Sequence, residues 1–333
     1  MQYRENESGL HILELEITRR CNLNCVHCYA GGNQSIDMDK QLAQDIINQA
    51  NDMGINRLVI TGGEPLINDN VFEYAEYARN IGIPDVALLT NGTLLNKDNA
   101  KKCRIFSGVQ MSLDGVPEKV GVLRKDYFQQ LEQAIHILHC NNIPITLYVT
   151  INKNNLHDID LMINYAKKQN CRIAFNCLIP IKKDLISLVP KPDELKEVFK
   201  YIVSESHNDP NIRLSHHLRF LVDDNRMKEI SEIPFESGIC GGCLAGIAAG
   251  YITAEGDFLA CPFIRISCGN IKKQSLSAIW NNSSILCVLR NRDKFKGKCG
   301  TCRFVNCCGG CRASSLYNHG EINNSDVNCF LED

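Results

Sequence analysis

Three thiols within eight residues, Cys21, Cys25 and Cys28, form a Cys-x3-Cys-x2-Cys loop. They are too crowded for the disulfide frame of a small secreted domain, and one ligand short of a closed tetrahedral site. Soft thiolates select zinc, copper(I) or iron-sulfur clusters, and a 4Fe-4S cluster held by three cysteines leaves one iron open to a ligand other than protein. A second concentration lies downstream: ten of the eighteen cysteines fall between Cys240 and Cys311, and Cys329 follows. Reducing compartments do not support a disulfide scaffold, so this clustering reads as metal binding.

The elements that must position these residues follow a regular pattern. A strand-like run over 12–18 leads into the cysteine loop. The spacing of Leu42, Ile46, Ile47 and Ala50 predicts a helix over 38–53, opened by Asp37. Strands are predicted over 57–60, 85–89, 108–113, 145–151 and 172–178, and helices over 70–80, 97–103, 127–140, 156–169 and 192–206. Six strand-helix pairs with short connections imply a parallel sheet covered by helices, an α/β partial (β/α)6 TIM-like barrel over 1–206. In such a barrel the loops after the strands gather at one face. Thr61-Gly62-Gly63-Glu64-Pro65, Thr90-Asn91-Gly92 and Ser112-Leu113-Asp114-Gly115 all fall there.

Past residue 206 the periodicity breaks. Residues 207–238 read as a bridge, and 239–333 as a small domain rich in Gly and Cys, with a hairpin over 249–260. So small a core needs staples, which metal clusters provide.

Composition narrows the function. At 333 residues and 44% hydrophobic content the chain suits one large domain and a smaller one. A formal charge of −2 exerts no pull toward nucleic acid. Residues 1–9 lack a signal-peptide core, and no apolar run approaches the ~18 residues that span a bilayer. The reading is a cytoplasmic protein acting on neither nucleic acid nor membrane.

The Cys-x3-Cys-x2-Cys-Tyr loop, the Gly-Gly-Glu-Pro turn one strand later and the downstream cysteine array together resemble a radical S-adenosylmethionine (SAM) enzyme with a C-terminal SPASM domain. The resemblance runs from about Ile12 to Cys329. It implies that Cys21, Cys25 and Cys28 ligate a 4Fe-4S cluster that binds SAM, cleaves it reductively to a 5′-deoxyadenosyl radical and so abstracts a substrate hydrogen atom. It implies that Tyr29 lies near the adenine, and that Gly62, Gly63 and Glu64 form the turn that meets the SAM amino group. Asn91, Ser112, Asp114, Arg124 and Asn152 occupy places where relatives put SAM-contacting or lumen residues. The blander alternatives are an ordinary turn at Asn91-Gly92, a helix cap at Ser112-Asp114 and a filler role for His27.

By the same resemblance, Cys243, Cys261 and Cys311 hold an inner auxiliary iron-sulfur cluster, whose fourth ligand is Cys240 first of all, or else Cys268, or is left as an iron open to substrate. Cys299, Cys302, Cys308 and Cys329 hold an outer one, 4Fe-4S or 2Fe-2S, with Cys307 an alternative to Cys308. Cys103, Cys140, Cys171 and Cys287 read as small buried hydrophobes. Cys177, ending the sixth strand, is placed to donate a hydrogen atom to a product radical. The basic stretch Arg290, Arg292, Lys294, Lys296, Lys298 and Arg303 either offsets thiolate charge or docks an acidic peptide leader.

Pro262 stands where sulfatase-maturating relatives place an Asp, which argues against that activity. Eleven residues precede the first strand, too few for a leader-recognition domain. The leading expectation is a peptide maturase that cross-links or alters a residue of a ribosomally made precursor. Its partners would be a flavodoxin- or ferredoxin-type electron donor and a separate leader-recognition protein. The alternatives are a small-molecule enzyme acting on a tetrapyrrole (haem side-chain decarboxylation or oxidation) or an aminoglycoside, and, from another class, a non-catalytic electron carrier.

Overall fold

A computed structural model describes residues 9–30, 34–116, 127–232 and 242–331. Its frame is one ten-stranded sheet in the order β10-β9-β8-β1-β2-β3-β4-β5-β6-β7. The first six strands, β1 (Ile12–Glu16), β2 (Arg57–Thr61), β3 (Asp85–Thr90), β4 (Gly108–Ser112), β5 (Ile145–Ile151) and β6 (Arg172–Cys177), run parallel in chain order.

The helices between them, α1 (Lys40–Asp52), α2 (Val71–Asn80), α3 (Lys97–Lys102), α4 (Phe128–Cys140) and α5 (Ile159–Lys168), cover one face. In α1, Leu42, Ala43, Ile46, Ile47 and Ala50 are buried at helical spacing, and each of its larger side chains contributes roughly 1.5–3 kcal/mol of burial. They meet Leu13, Leu15 and Ile17, which are fully buried in the same core. The helix is opened by Asp39, whose side chain accepts the Leu42 N–H at 3.0 Å, and not by Asp37. Asp37 instead accepts from the Thr18 hydroxyl and pairs with Arg20 at 2.9 Å, which ties the helix approach to the segment entering the cysteine loop.

Two long-range pairings extend the sheet beyond the six strands expected. After α6 (Pro192–Asn208), β7 (Ile212–Leu214) adds in parallel to β6, and α7 (Asp224–Ser231) follows, so the segment read as a bridge carries regular structure. At the other edge, β8 (Ala249–Ile252) runs parallel to β1 with Leu13 opposite Gly250. The hairpin it forms with β9 (Asp257–Leu259), and then β10 (Gly269–Asn270), continue the sheet in antiparallel fashion. The predicted hairpin therefore exists, but it is built onto the barrel strand that carries the cysteine loop. The remaining chain forms short helices: α8 (Leu276–Asn282), α9 (Ser284–Arg290), α10 (Gly297–Thr301), α11 (Val305–Cys308) and α12 (Arg312–His319).

Candidate active site

The cysteine loop is anchored at its entry. Arg19 pairs with the buried Glu16 and with Glu255, each at 3.0 Å. Beyond Arg20 the loop has no helix or strand of its own and is held from the turn after β3. Asn91 Nδ2 donates to Asn22 Oδ1 at 3.0 Å, and Asn22 Nδ2 donates to Thr93 Oγ1 at 2.8 Å. Asn22 and Thr93 had no assigned role in the sequence reading.

The Gly-Gly-Glu turn meets the same loop from β2. Gly63 N–H donates to Thr18 O and Glu64 N–H to Arg20 O, both at 2.8 Å. A Cβ on Gly62 would lie 2.5 Å from Thr18 O, and one on Gly63 2.4 Å from Arg20 O. Both glycines are thus required by the approach of the loop's own stem. Glu64 is fully buried. Its Oε1 accepts from Thr90 Oγ1 at 2.6 Å and Leu66 N–H at 3.0 Å, and its Oε2 accepts from Asn91 N–H at 2.8 Å. Its carboxylate locks the β2 turn to the β3 turn, which in turn clasps the cysteine loop.

Tyr29 packs edge-on against Phe263, with centroids 5.3 Å apart, and against Tyr251 at 6.0 Å. It joins the cysteine loop to β8 and to the residues just past Cys261. Asn91 is thus part of the site, whereas Asn152, Ser112 and Asp114 make contacts elsewhere. Asn152 spends its side chain on its own turn, donating to Thr150 O and accepting Asn154 N–H, both at 3.0 Å. Ser112 O accepts from the Tyr127 hydroxyl, which in turn accepts the N–H of the buried Asp114. Arg124 and Cys240 lie outside the described residues. Cys177 ends β6 buried, and burial keeps its thiol far above the ordinary value, with the Asp326 carboxylate adding to the effect.

The open face of the sheet is polar on β4 to β6, while Val59, Ala87 and Leu89 lie on that face of β2 and β3. Across β4, β5 and β6 the register sets Gln110 beside Thr146, Ser112 beside Tyr148 and Thr150 beside Asn176. On β1, alternation puts Glu14 and Glu16 on one face. Glu16 accepts from Tyr251 OH and Ala254 N–H as well as Arg19. Among the described residues nothing donates a hydrogen bond to Glu14, and burial pushes its carboxyl up to about 7 against the pull of Arg57.

The downstream cysteines converge through Gly309-Gly310, both in the left-handed region (φ 69° and 58°), which a side chain would strain. Every described cysteine except Cys307 is outside any disulfide. Seven of the expected ligands carry a donor aimed at sulfur, most from a backbone N–H two or three residues on: Cys21, Cys261, Cys299, Cys302, Cys308, Cys311 and Cys329. Burial raises six of these thiols, and the donors oppose it. Cys103 and Cys171, by contrast, are pushed up to about 12 by burial alone. Donors at sulfur stabilise thiolate, the form that ligates iron, so the residues fit iron-sulfur clusters. Among the described residues no three His, Cys, Asp or Glu side chains close around a single metal ion.

Sequence reading missed the residues that tie this region together. Asp326 accepts Cys311 N–H at 2.8 Å and pairs with His217, at the barrel's edge, at 2.7 Å, while its own N–H donates to Cys299 Sγ at 3.4 Å. Burial alone would raise its carboxyl, but His217 and the Cys311 N–H outweigh that and hold it below the usual range. The available signal was its place three residues before Cys329. Much of the basic stretch is consumed internally: Arg290 stacks on Trp280 at 4.2 Å and donates to Gly246 O, Arg292 donates to Val305 O and Asn306 O, and Lys296 pairs with Glu321.

Comparison with known proteins agrees with this layout. The family model for the radical SAM superfamily matches residues 15–166, and that for the SPASM iron-sulfur cluster-binding domain matches 243–312. An AdoMet-dependent heme synthase of Methanosarcina barkeri is 28% identical over 96% of each chain. A mycofactocin maturase of Mycobacterium tuberculosis is 25% identical over 95% of this chain and 82% of its own. The structure of Streptococcus suis SuiB bound to the precursor peptide SuiA superposes with a TM-score of 0.78 at 16% identity, covering 97% of this chain and 76% of that one, a likeness of fold. Among the described residues no helix is long and apolar enough to cross a membrane.

Proposed function

We propose a function from one premise: this chain belongs to the radical SAM superfamily and carries a C-terminal SPASM iron-sulfur domain. It is an enzyme whose cofactors are SAM and 4Fe-4S clusters. In our reading Cys21, Cys25 and Cys28 hold the SAM-binding cluster. Cys243, Cys261 and Cys311, with Cys240, hold the inner auxiliary cluster, and Cys299, Cys302, Cys308 and Cys329 the outer one. When bound, the first cluster supplies the electron that cleaves SAM to methionine and a 5′-deoxyadenosyl radical, which takes a hydrogen atom from the substrate. Glu64, Asn91 and Asn22 fix the loop that presents the three thiols, and Tyr29 closes the space between that loop and Cys261. Burial keeps Cys177 a neutral thiol, but its pairing with Ile151, one residue past Asn176, sets it on the covered face of the sheet, so the hydrogen-atom donor role is not carried into this reading.

The substrate is a ribosomally made peptide, oxidised at one residue or cross-linked. The observation that carries this is the run of Gln110, Ser112, Tyr148, Thr150 and Asn176 across β4, β5 and β6. Neutral hydrogen-bonding groups suit peptide amides, which bring no charge that needs a partner. A flavodoxin- or ferredoxin-type donor and a separate leader-binding protein complete the system, in a reducing cytoplasm where the thiols persist.

The second reading, side-chain oxidation of an iron tetrapyrrole, is favoured by the heme synthase that matches over 96% of both chains. The two are separated by incubating the anaerobically reconstituted enzyme with SAM, a reductant and either the short peptides encoded beside its gene or Fe-coproporphyrin III. Mass spectrometry is expected to show a peptide lighter by two hydrogens. Decarboxylation of the porphyrin with every peptide unchanged overturns the peptide reading.

A further inference from the structure

Arg312 directly follows Cys311, yet its side chain reaches Cys299. It is buried, and its Nη2 donates to Cys299 Sγ at 3.4 Å. The rest of the guanidinium cannot swing away: Nη1 donates to Ile322 O at 3.0 Å and Asn324 O at 2.7 Å, Nε to Gly310 O at 3.3 Å, and the Phe295 ring stacks on it at 4.5 Å. Gly310 makes room for the contact, since a Cβ there would lie 2.4 Å from Arg312 Nη2 and 3.1 Å from Cys299 Sγ. The Asp326 N–H is a second donor to the same sulfur.

We propose that Arg312 is a positioning residue that raises the reduction potential of the outer iron-sulfur centre through Cys299, so that electrons leaving the inner centre are drawn outward. The inference rests on the reading of Cys299 as a ligand of that centre. A fixed cation and a donated hydrogen bond withdraw electron density from a ligand sulfur and stabilise the more negative, reduced cluster. The Asp326 carboxylate acts in the opposite sense on the inner set, where it accepts the Cys311 N–H at 2.8 Å. Arg312 acts on the outer set through a fixed hydrogen bond to one of its sulfurs.

The test is EPR-monitored redox titration of the reconstituted full-length protein, with iron and sulfide counted per chain and the signals assigned by Cys261→Ala and Cys299→Ala. In Arg312→Gln the outer midpoint is expected to shift downward while the inner one stays. Pulsed EPR of wild-type protein grown with guanidino-15N arginine needs no variant to fold, and is expected to show a 15N coupling on the outer signal only. An unshifted outer midpoint in Arg312→Gln, or no 15N coupling on that signal, overturns the proposal. Full iron and all signals in Cys299→Ala would instead overturn the ligand reading beneath it.

Discussion

Asn91 and Asn22 are joined side chain to side chain, Nδ2 to Oδ1 at 3.0 Å, across 69 residues of sequence. The turn after β3 thereby grips the cysteine loop between its first and second thiols. In Asn91→Ala the loop loses this bond and the Thr93 arrangement that Asn91 Oδ1 organises. The expected result is about 1–2 kcal/mol lower stability in urea unfolding, with SAM cleavage reduced and the auxiliary-cluster signals kept. Unchanged cleavage would mean that the loop holds its shape without this clasp.

Gly63 carries the sharper constraint, because the neighbour is backbone. A methyl group 2.4 Å from Arg20 O displaces the stem of the cysteine loop and breaks the Glu64 N–H bond to that oxygen. Gly63→Ala is expected to lower SAM cleavage by roughly 10²-fold, as misplacement of reacting groups by about 1 Å does. Single-turnover assay for 5′-deoxyadenosine measures it.

Glu14 gives a pH dependence of stability. Its carboxyl is raised from 4.5 to about 7 by burial, so between those values the folded chain binds the proton that the unfolded chain has lost. This contribution is fully present below the ordinary value and lost as pH rises through the folded one. Glu14→Gln should match wild type at pH 4 to 5 and exceed it at pH 8 by about 1–3 kcal/mol, the upper end reduced because the group faces the open side of the sheet. Denaturant titrations at the two pH values decide it; a difference independent of pH would remove Glu14 as the titrating group.

Local pattern made the core of this molecule legible. Alternating strands and helical spacing placed β1 to β6, and the ends of those strands carried Cys21, Gly62, Gly63, Glu64 and Asn91. Two aspartates flanking Met38 hid the true cap, because only their partners tell them apart: Asp39 accepts the Leu42 N–H, whereas Asp37 accepts from the Thr18 hydroxyl and from Arg20. The pairings of β7 with β6 and β8 with β1 depend on strands far apart in sequence, and a three- or four-residue strand gives too short a period to declare itself. The roles of Arg312 and Asp326 were hidden for the same reason: their partners, Cys299, Cys311 and His217, are set by the fold, and a basic or acidic side chain looks like surface until its neighbours are known.

The most direct measurement is SAM cleavage by the anaerobically reconstituted full-length protein under dithionite, beside a variant with Cys21, Cys25 and Cys28 all replaced by Ala. Wild type is expected to release 5′-deoxyadenosine and methionine in equal amounts, and the variant none, while the auxiliary cysteines still retain iron. A wild-type protein that carries its clusters yet forms no 5′-deoxyadenosine, or a triple variant that still does, contradicts the assignment of this loop as the source of the radical.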